Sequence, residues 1–321
     1  MAMPREELLK RFTAGQRAAL SKIITLVENH ATSFPDVLDE LYPRTGKAYR
    51  IGVTGPPGAG KSTLVSSLVQ TIRATERTVG VIAVDPSSPF TGGALLGDRI
   101  RMQDIGTDPG VFVRSMATRG SLGGLAAAAG DVADVMDAFG KDVVITETVG
   151  VGQCELDIAE ACYTTVVVIV PESGDAVQAM KAGLMEIADI LVINKSDRDG
   201  AEQIARQTRA MFELRGERNG WDPPVILTIA FKGDGIPELY EHIEKHHKFL
   251  SEAGLLEKHR QANVEATIKA IVEGDLHSKT WNEGTLGRLE ELVADVMGGR
   301  VTPRQASEVI LRMIEARQEG D

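Results

Sequence analysis

The most informative motif of this chain is Gly55-Pro56-Pro57-Gly58-Ala59-Gly60-Lys61-Ser62, followed by Thr63. It matches the pattern G-x-x-x-x-G-K-[ST] of phosphate-binding loops at every fixed position. An apolar run precedes it at 49–54, and apolar side chains follow at helical spacing over 64–70. Because the motif requires a strand before it and a helix after it, we predict a P-loop here rather than an ordinary Gly-rich turn.

The residue types of this loop suit a bound phosphate. Glycines permit the positive φ angles that let successive backbone N–H groups point at an anion. The helix that begins near Lys61 adds the partial positive charge of its N-terminus. We expect Lys61 to contact the β- and γ-phosphates and Ser62 to offer its hydroxyl to Mg²⁺. The stretch from Gly55 to Thr63 is therefore predicted to bind the phosphates of a nucleotide.

The composition excludes several classes of protein. The chain has 321 residues with a formal net charge of −11, so we expect no binding to nucleic acid or to an anionic membrane surface. Its two cysteines, Cys154 and Cys162, exclude a disulfide framework and a Cys-rich metal site. The first residues do not resemble a signal peptide, and no apolar run approaches the length of a membrane span. A cytoplasmic location is expected.

Short apolar runs alternate with helical patterns between residues 49 and 230. Their continuous apolarity predicts strands that are buried on both faces of a mostly parallel sheet. The runs are 51–54, 79–84, 111–113, 143–146, 166–170, 190–193 and 225–229. Ligands bind at the carboxyl ends of such strands, so the residues just after each run are candidates for a site.

Three carboxylates near these strand ends are candidates for Mg²⁺ or water binding. Asp85 directly follows the second run, and Asp98 follows the loop 86–97, where a helix N-cap is an equally good interpretation. Glu147 directly follows the fourth run, and Gly150 comes three residues later, which is typical of the second magnesium-side motif of P-loop enzymes. We expect the Gly150 N–H to contact a γ-phosphate, which would make this loop sensitive to the terminal phosphate.

The sixth run leads into Asn194-Lys195-Ser196-Asp197. The Asp197 carboxylate can accept hydrogen bonds from guanine N1–H and N2–H₂, a pattern that adenine does not offer. Asn194 would support the loop and Lys195 would cover the ring. So short a match could be a solvated turn, but after a buried strand and downstream of a P-loop it favours guanine. Near the last run, Thr228 leads to Ala230, whose N–H could reach guanine O6.

Helical patterns flank the predicted core. We predict an N-terminal helical extension at 1–47, a P-loop domain at 48–250 and a helical arm at 251–321 that oligomerises. His242, His246 and His247 lie close together in the sequence. We favour a solvated helix face for them over a metal site, because no carboxylate or cysteine pattern completes a site.

Five motifs in this order resemble those of the MeaB/ArgK family, metallochaperone-like P-loop GTPases associated with methylmalonyl-CoA mutase. They are the P-loop, Asp85-Pro86-Ser87-Ser88-Pro89, Glu147-Thr148-Val149-Gly150-Val151-Gly152-Gln153, Pro171-Glu172-Ser173-Gly174-Asp175 and Asn194-Lys195-Ser196-Asp197. The resemblance implies an α/β P-loop NTPase fold with a mostly parallel central sheet, an N-terminal helical extension and a C-terminal helical dimerisation arm.

The same resemblance implies a GTP-hydrolysing chaperone of an adenosylcobalamin-dependent acyl-CoA mutase. Such a protein gates cofactor loading, protects or reactivates the mutase, binds GTP/GDP with Mg²⁺, and forms a homodimer. The family places residues matching Ser62, Asp85, Asp98 and Glu147 around Mg²⁺ and the attacking water. The segment 170–181 matches a third switch that communicates with the mutase.

Two alternative functions stay open at this point. A nickel-insertion metallochaperone GTPase would need a Cys/His metal site, which the sequence does not offer. An ATP-dependent small-molecule kinase, suggested by an older family label, is disfavoured by the run Asn194–Asp197. Val151 stands after Gly150, where small GTPases carry a water-orienting glutamine, so Gln153 or a carboxylate is the candidate substitute and intrinsic hydrolysis should be slow.

Overall fold

The computed structural model describes residues 4–29, 34–85, 103–117, 124–148, 161–171, 183–215 and 220–318. Their contacts divide the chain into two compact units, 1–261 and 262–321. The first unit contains the sheet and the second is helical. The three domain boundaries that we predict from the sequence stay a prediction.

A parallel sheet of seven strands forms the centre of the first unit. The strands are β1 (Tyr49–Thr54), β2 (Val79–Asp85), β3 (Val111–Ala117), β4 (Val143–Glu147), β5 (Thr164–Ile169), β6 (Ile190–Asn194) and β7 (Val225–Thr228). Their order is β3-β2-β4-β1-β5-β6-β7, and every neighbouring pair runs parallel. All residues of β1 except Arg50, and all of β4, β5 and β6, are buried. The predicted α/β fold is thus confirmed.

Helices cover both faces of this sheet. They are α1 (Arg5–Thr13), α2 (Arg17–Glu28), α3 (Phe34–Leu41), α4 (Lys61–Arg73), α5 (Gln103–Gly106), α6 (Gly124–Ala138), α7 (Leu184–Ile187), α8 (Ala201–Arg215) and α9 (Ile236–Glu252). One face packs against α4 and α9. The other packs against α1, α2, α3 and α6 on one side and against α7 and α8 on the other.

The N-terminal helices pack on the sheet through an apolar face. Leu20, Ile23, Ile24 and Val27 of α2 are fully buried, because they recur at helical spacing towards α6 and β3. The Asp137 carboxylate of α6 then accepts hydrogen bonds from the backbone N–H groups of residues 46–48, which lie between these helices and β1. This segment is therefore held against the core immediately before the strand that leads to the P-loop.

One sequence expectation about this unit is wrong. His246 of α9 is buried rather than solvated, at 2% exposure. Its Nδ1 lies 2.8 Å from Thr164 Oγ1, and its ring packs 4.7 Å from that of Trp221. The partners come from distant parts of the chain, so local spacing could not reveal them. No group of three or more His, Cys, Asp or Glu residues that could hold a metal occurs in the described part of the chain.

The second unit contains the end of α10 (Leu255–Thr280), with α11 (Glu283–Met297) and α12 (Pro303–Gln318). Leu292, Ala306 and Ile310 form the small core between α11 and α12. Asn282 and Thr285 form a capping box at the start of α11. Across the ranges that the structure describes, no helix has both the length and the apolarity needed to cross a membrane.

Candidate nucleotide site

The P-loop connects β1 to α4 at the carboxyl edge of the sheet. Gly55, Gly58 and Gly60 have φ angles of 140°, 80° and 87°. A Cβ on Gly55 would overlap the backbone oxygen of Val168, and one on Gly60 would lie 2.5 Å from Asn194 Nδ2. Glycine is therefore required at these two positions both by the backbone angles and by space. The remaining loop residues that we predict to bind phosphate, Pro56, Pro57 and Ala59, lie between them.

Lys61 and Ser62 open helix α4, where the first backbone N–H groups of a helix favour an anion. Lys61 is buried, and its Nζ donates to Gly55 O at 2.8 Å and to Pro56 O at 3.1 Å. The ammonium group therefore lies against the carbonyls at the start of the loop. Thr63 follows in the same turn and is half-buried.

The P-loop is joined to the end of β4 by a direct side-chain contact. Ser62 Oγ donates to Glu147 Oε1 at 2.6 Å, and both residues are buried. Hydroxyl and carboxylate oxygens are the hard donors that Mg²⁺ prefers, so these two residues fit the predicted metal. The register of the sheet pairs Glu147 with Ala83 and places the backbone of Asp85 two residues further along the neighbouring strand. The structure describes the backbone of Asp85 but not its side chain.

Other predicted residues fall outside the described ranges. These are Asp98, Gly150 and Gln153, together with the segment 172–182, which holds most of the predicted third switch. Their predicted roles stay predictions.

Hydrogen bonds also join the end of β1 to the residue that follows β4, and the sequence pattern does not predict them. Thr148 N donates to Val53 O at 3.0 Å, and Thr148 Oγ1 donates to Thr54 Oγ1 at 2.9 Å. Thr54 and Thr148 are both buried. The sequence shows only a threonine at the end of the first run and another one residue beyond Glu147. This does not predict pairing, because β1 and β4 are far apart in the chain. The residue before the P-loop is thus held to the residue after Glu147.

Asn194 connects three elements at the predicted base-binding end. Its Nδ2 donates to Ala59 O of the P-loop at 2.8 Å. Its Oδ1 accepts from Thr228 Oγ1 and from Ala230 N, each at 3.1 Å. The predicted contact of the Ala230 N–H with guanine O6 stays a prediction, and it would require this N–H to be shared with Asn194.

Lys195 and Asp197 differ from Asn194 in exposure. Lys195 adopts a φ of 56°. Its Nζ donates to Gly58 O at 2.8 Å, so the aliphatic part of its side chain extends towards the P-loop. Ser196 N donates to Thr228 O at 3.0 Å, which fixes the turn beside β7. Asp197 is exposed in this turn, where a carboxylate is accessible to an incoming base.

A sequence model of the family described as methylmalonyl-CoA mutase-associated GTPase MeaB matches residues 20–285. The chain belongs to this family. Members and relatives are named GTPases, so this MeaB-family protein hydrolyses GTP and binds guanine nucleotides. The match spans the P-loop, the end of β4 and the turn at 194–197.

Relatives align with this MeaB-family chain over nearly all of its length. A putative GTPase of Pyrococcus horikoshii is 48% identical over 317 residues, covering 98% of this chain and 99% of the relative. The methylmalonic aciduria type A homolog of Caenorhabditis elegans, described as mitochondrial, is 31% identical, covering 96% and 82%. A solved structure described as LAO/AO transport system kinase has a TM-score of 0.72 at 30% identity, covering 98% and 100%.

Proposed function

We propose that this protein is a GTP-hydrolysing chaperone of an adenosylcobalamin-dependent acyl-CoA mutase of the methylmalonyl-CoA mutase type. It gates loading of the cofactor and protects or reactivates the mutase. The family description, which names association with this mutase, supports the partner. A relative named for methylmalonic aciduria supports it too.

The contact between Ser62 and Glu147 carries the proposal for the reaction. We infer that the phosphates of GTP lie in the loop 55–63, where Lys61 neutralises charge on the γ-phosphate during transfer to water. Ser62, Asp85, Asp98 and Glu147 would hold Mg²⁺, which supplies further charge neutralisation when bound. The Ser62 hydroxyl would offer a lone pair to the metal, while its hydrogen stays available to a carboxylate oxygen such as Glu147 Oε1.

We infer that guanine binds beyond the P-loop, at the turn 194–197 and the loop after β7. The Asp197 carboxylate accepts hydrogen bonds from the Watson–Crick edge of guanine, and the aliphatic part of the Lys195 side chain covers the ring. Asn194, Thr228 and Ala230 hold the two loops at a fixed spacing, through the hydrogen bonds of the Asn194 amide. The residues that bind the base and those that bind the phosphates are thereby connected by hydrogen bonds.

We propose that the segments that follow β4 and β5 signal to the mutase whether GTP or GDP is bound. Thr148 is bonded to Val53 and Thr54 immediately before the P-loop, so a change at the phosphates acts directly on the start of the segment after β4. Gly150 would contact the γ-phosphate in that segment. The segment 170–181 is the proposed contact with the mutase.

A homodimer is proposed through the helical arm 251–321. Helix α10 exposes Val264, Ile268, Ile271, Val272 and Leu276 at helical spacing. A continuous apolar stripe of this kind is typical of a surface that another helix covers. A cytoplasmic location stays a prediction from the sequence.

Transfer of adenosylcobalamin to cofactor-free methylmalonyl-CoA mutase tests the chaperone role. We expect the rate or extent of loading to differ between GTP-bound and GDP-bound protein, measured from the absorbance of the mutase-bound cofactor. Lys61→Ala is the control, because it should abolish tight GTP binding and with it the nucleotide dependence. Loading that is indifferent to the protein and to its nucleotide would contradict the proposed role.

A further inference from the structure

Phe231 is an exposed aromatic residue beside the predicted base-binding loops. It lies in the short 3₁₀ turn Ala230–Lys232, which begins two residues after the end of β7, and 68% of it is exposed. Aromatic residues make up only 4% of the chain, and a phenyl ring left in water costs free energy that burial would recover. The ring is therefore accessible to a ligand that binds at these loops.

The backbone of this turn is fixed on both sides. Ala230 N donates to Asn194 Oδ1 at 3.1 Å, and Ala230 O accepts from Ser67 Oγ of α4 at 2.7 Å. Both polar groups of Ala230 are thus engaged inward, while the side chain of the next residue is exposed. Neighbouring Cα atoms are about 3.8 Å apart, so a base whose edge reaches Ala230 lies within reach of the Phe231 ring.

We propose that Phe231 is a stacking platform for the guanine base. The inference rests on the proposed placement of guanine at the turn 194–197. The faces of a nucleobase and of a phenyl ring attract each other in offset-stacked or edge-to-face arrangements. Phe231 then adds binding to the base that is independent of the hydrogen bonds at Asp197, and it excludes water from the ring.

The side chain of Lys232 lies against one side of the Phe231 ring. Its Nζ lies 5.5 Å from the centroid of Phe231, within the range of a cation–π contact. The cation takes up one side of the ring, which leaves the opposite side for the base. Lys232 is therefore the matched control, since Lys232→Ala removes a neighbouring side chain and keeps the phenyl ring.

Calorimetric titration of GDP into the full-length protein tests the proposal. Loss of an aromatic platform typically weakens base binding by roughly 5- to 150-fold, and we expect about tenfold for Phe231→Ala and less than threefold for Lys232→Ala. Inorganic pyrophosphate, which lacks a base, should bind wild type and Phe231→Ala equally in competition with GDP. Phe231→Trp should restore GDP affinity, and the emission of its new indole should be quenched by GDP.

Asp197→Ala separates failure of this inference from failure of the proposed base site. If Asp197→Ala weakens GDP binding and Phe231→Ala does not, the platform is refuted and the base site stands. If neither variant affects GDP, the placement of the base is wrong as well. Equal weakening of GDP and pyrophosphate by Phe231→Ala would also overturn the proposal, because it would indicate damage to the loop and not loss of stacking.

Discussion

Ser62 Oγ donates a 2.6 Å hydrogen bond to Glu147 Oε1, so the first turn of α4 is joined to the last residue of β4. This contact brings together a hydroxyl of the phosphate-binding loop and the carboxylate that precedes the segment 149–160. Since the two residues are 85 positions apart, only the parallel pairing of β1 with β4 brings them into contact.

Glu147→Gln should lower the turnover of GTP by about 100-fold, the size of effect found when one charge-stabilising group of an active site is lost. GDP affinity should change much less, because the amide keeps the size of the carboxylate. Steady-state phosphate release and GDP titration measure the two effects. Unchanged turnover would remove Glu147 from the proposed reaction.

Asn194→Ala should lower both stability and nucleotide affinity. The change leaves Thr228 Oγ1 and Ala230 N without their buried acceptor, and we expect a loss of about 3 kcal/mol in the free energy of unfolding. Urea denaturation measures this loss. Asp197→Ala is the control, since its side chain is exposed: GDP affinity should fall while stability changes by less than about 0.5 kcal/mol. Equal destabilisation by both variants would contradict a structural role that belongs to Asn194 and not to Asp197.

Gly55→Ala and Gly58→Ala should differ sharply, although both glycines have positive φ. A Cβ on Gly55 would overlap Val168 O, whereas one on Gly58 would meet nothing within 4 Å. We expect Gly58→Ala to cost about 1–2 kcal/mol, the penalty of a left-handed backbone, and Gly55→Ala to cost clearly more. Thermal denaturation compares the two, and similar midpoints would contradict the packing around β5.

Asp131 should make stability depend on pH. Burial and the neighbouring Asp134 carboxylate raise the pKa of Asp131 to about 7. Between pH 4 and 7 the unfolded chain has released this proton while the folded chain retains it, so stability falls as pH rises and stays lower above 7. Asp131→Asn should therefore stabilise the protein by about 1–2 kcal/mol more at pH 8 than at pH 5.

Chemical denaturation at the two pH values tests this expectation. Asp39→Asn, a change at an exposed carboxylate, controls for the loss of one charge. An equal effect of Asp131→Asn at pH 5 and pH 8 would show that the carboxyl does not titrate in this range.

Ile268→Glu should dissociate the proposed homodimer, because it places a charge within the exposed apolar stripe of α10. Light scattering after gel filtration gives the mass of the particle. Leu214→Glu, at an exposed position of α8, is the control and should leave the mass unchanged. A wild-type protein of monomeric mass would contradict the proposed arm.

The sheet and the P-loop were predictable because each follows from a local pattern. The third strand extends four residues beyond the predicted run 111–113. The prediction stopped short because Arg114 and Ser115 interrupt the apolar pattern. Arg114 is accommodated by an ion pair with Glu28 of α2, and such a pair is invisible to local spacing.

The connections within the site were not predictable for the same reason. Asn194 reaches Ala59 on one side and Thr228 on the other, and these partners come together only when the sheet has formed. The sequence identified Asn194 as a candidate but gave no means of choosing its partners.

The rate of GTP hydrolysis with and without methylmalonyl-CoA mutase is the direct test of the proposed chaperone function. Phosphate release should be slow for the protein alone, accelerate when the mutase is added, and not respond when ATP replaces GTP. A GTP-specific rate that the mutase leaves unchanged would contradict the chaperone function while leaving the GTPase in place.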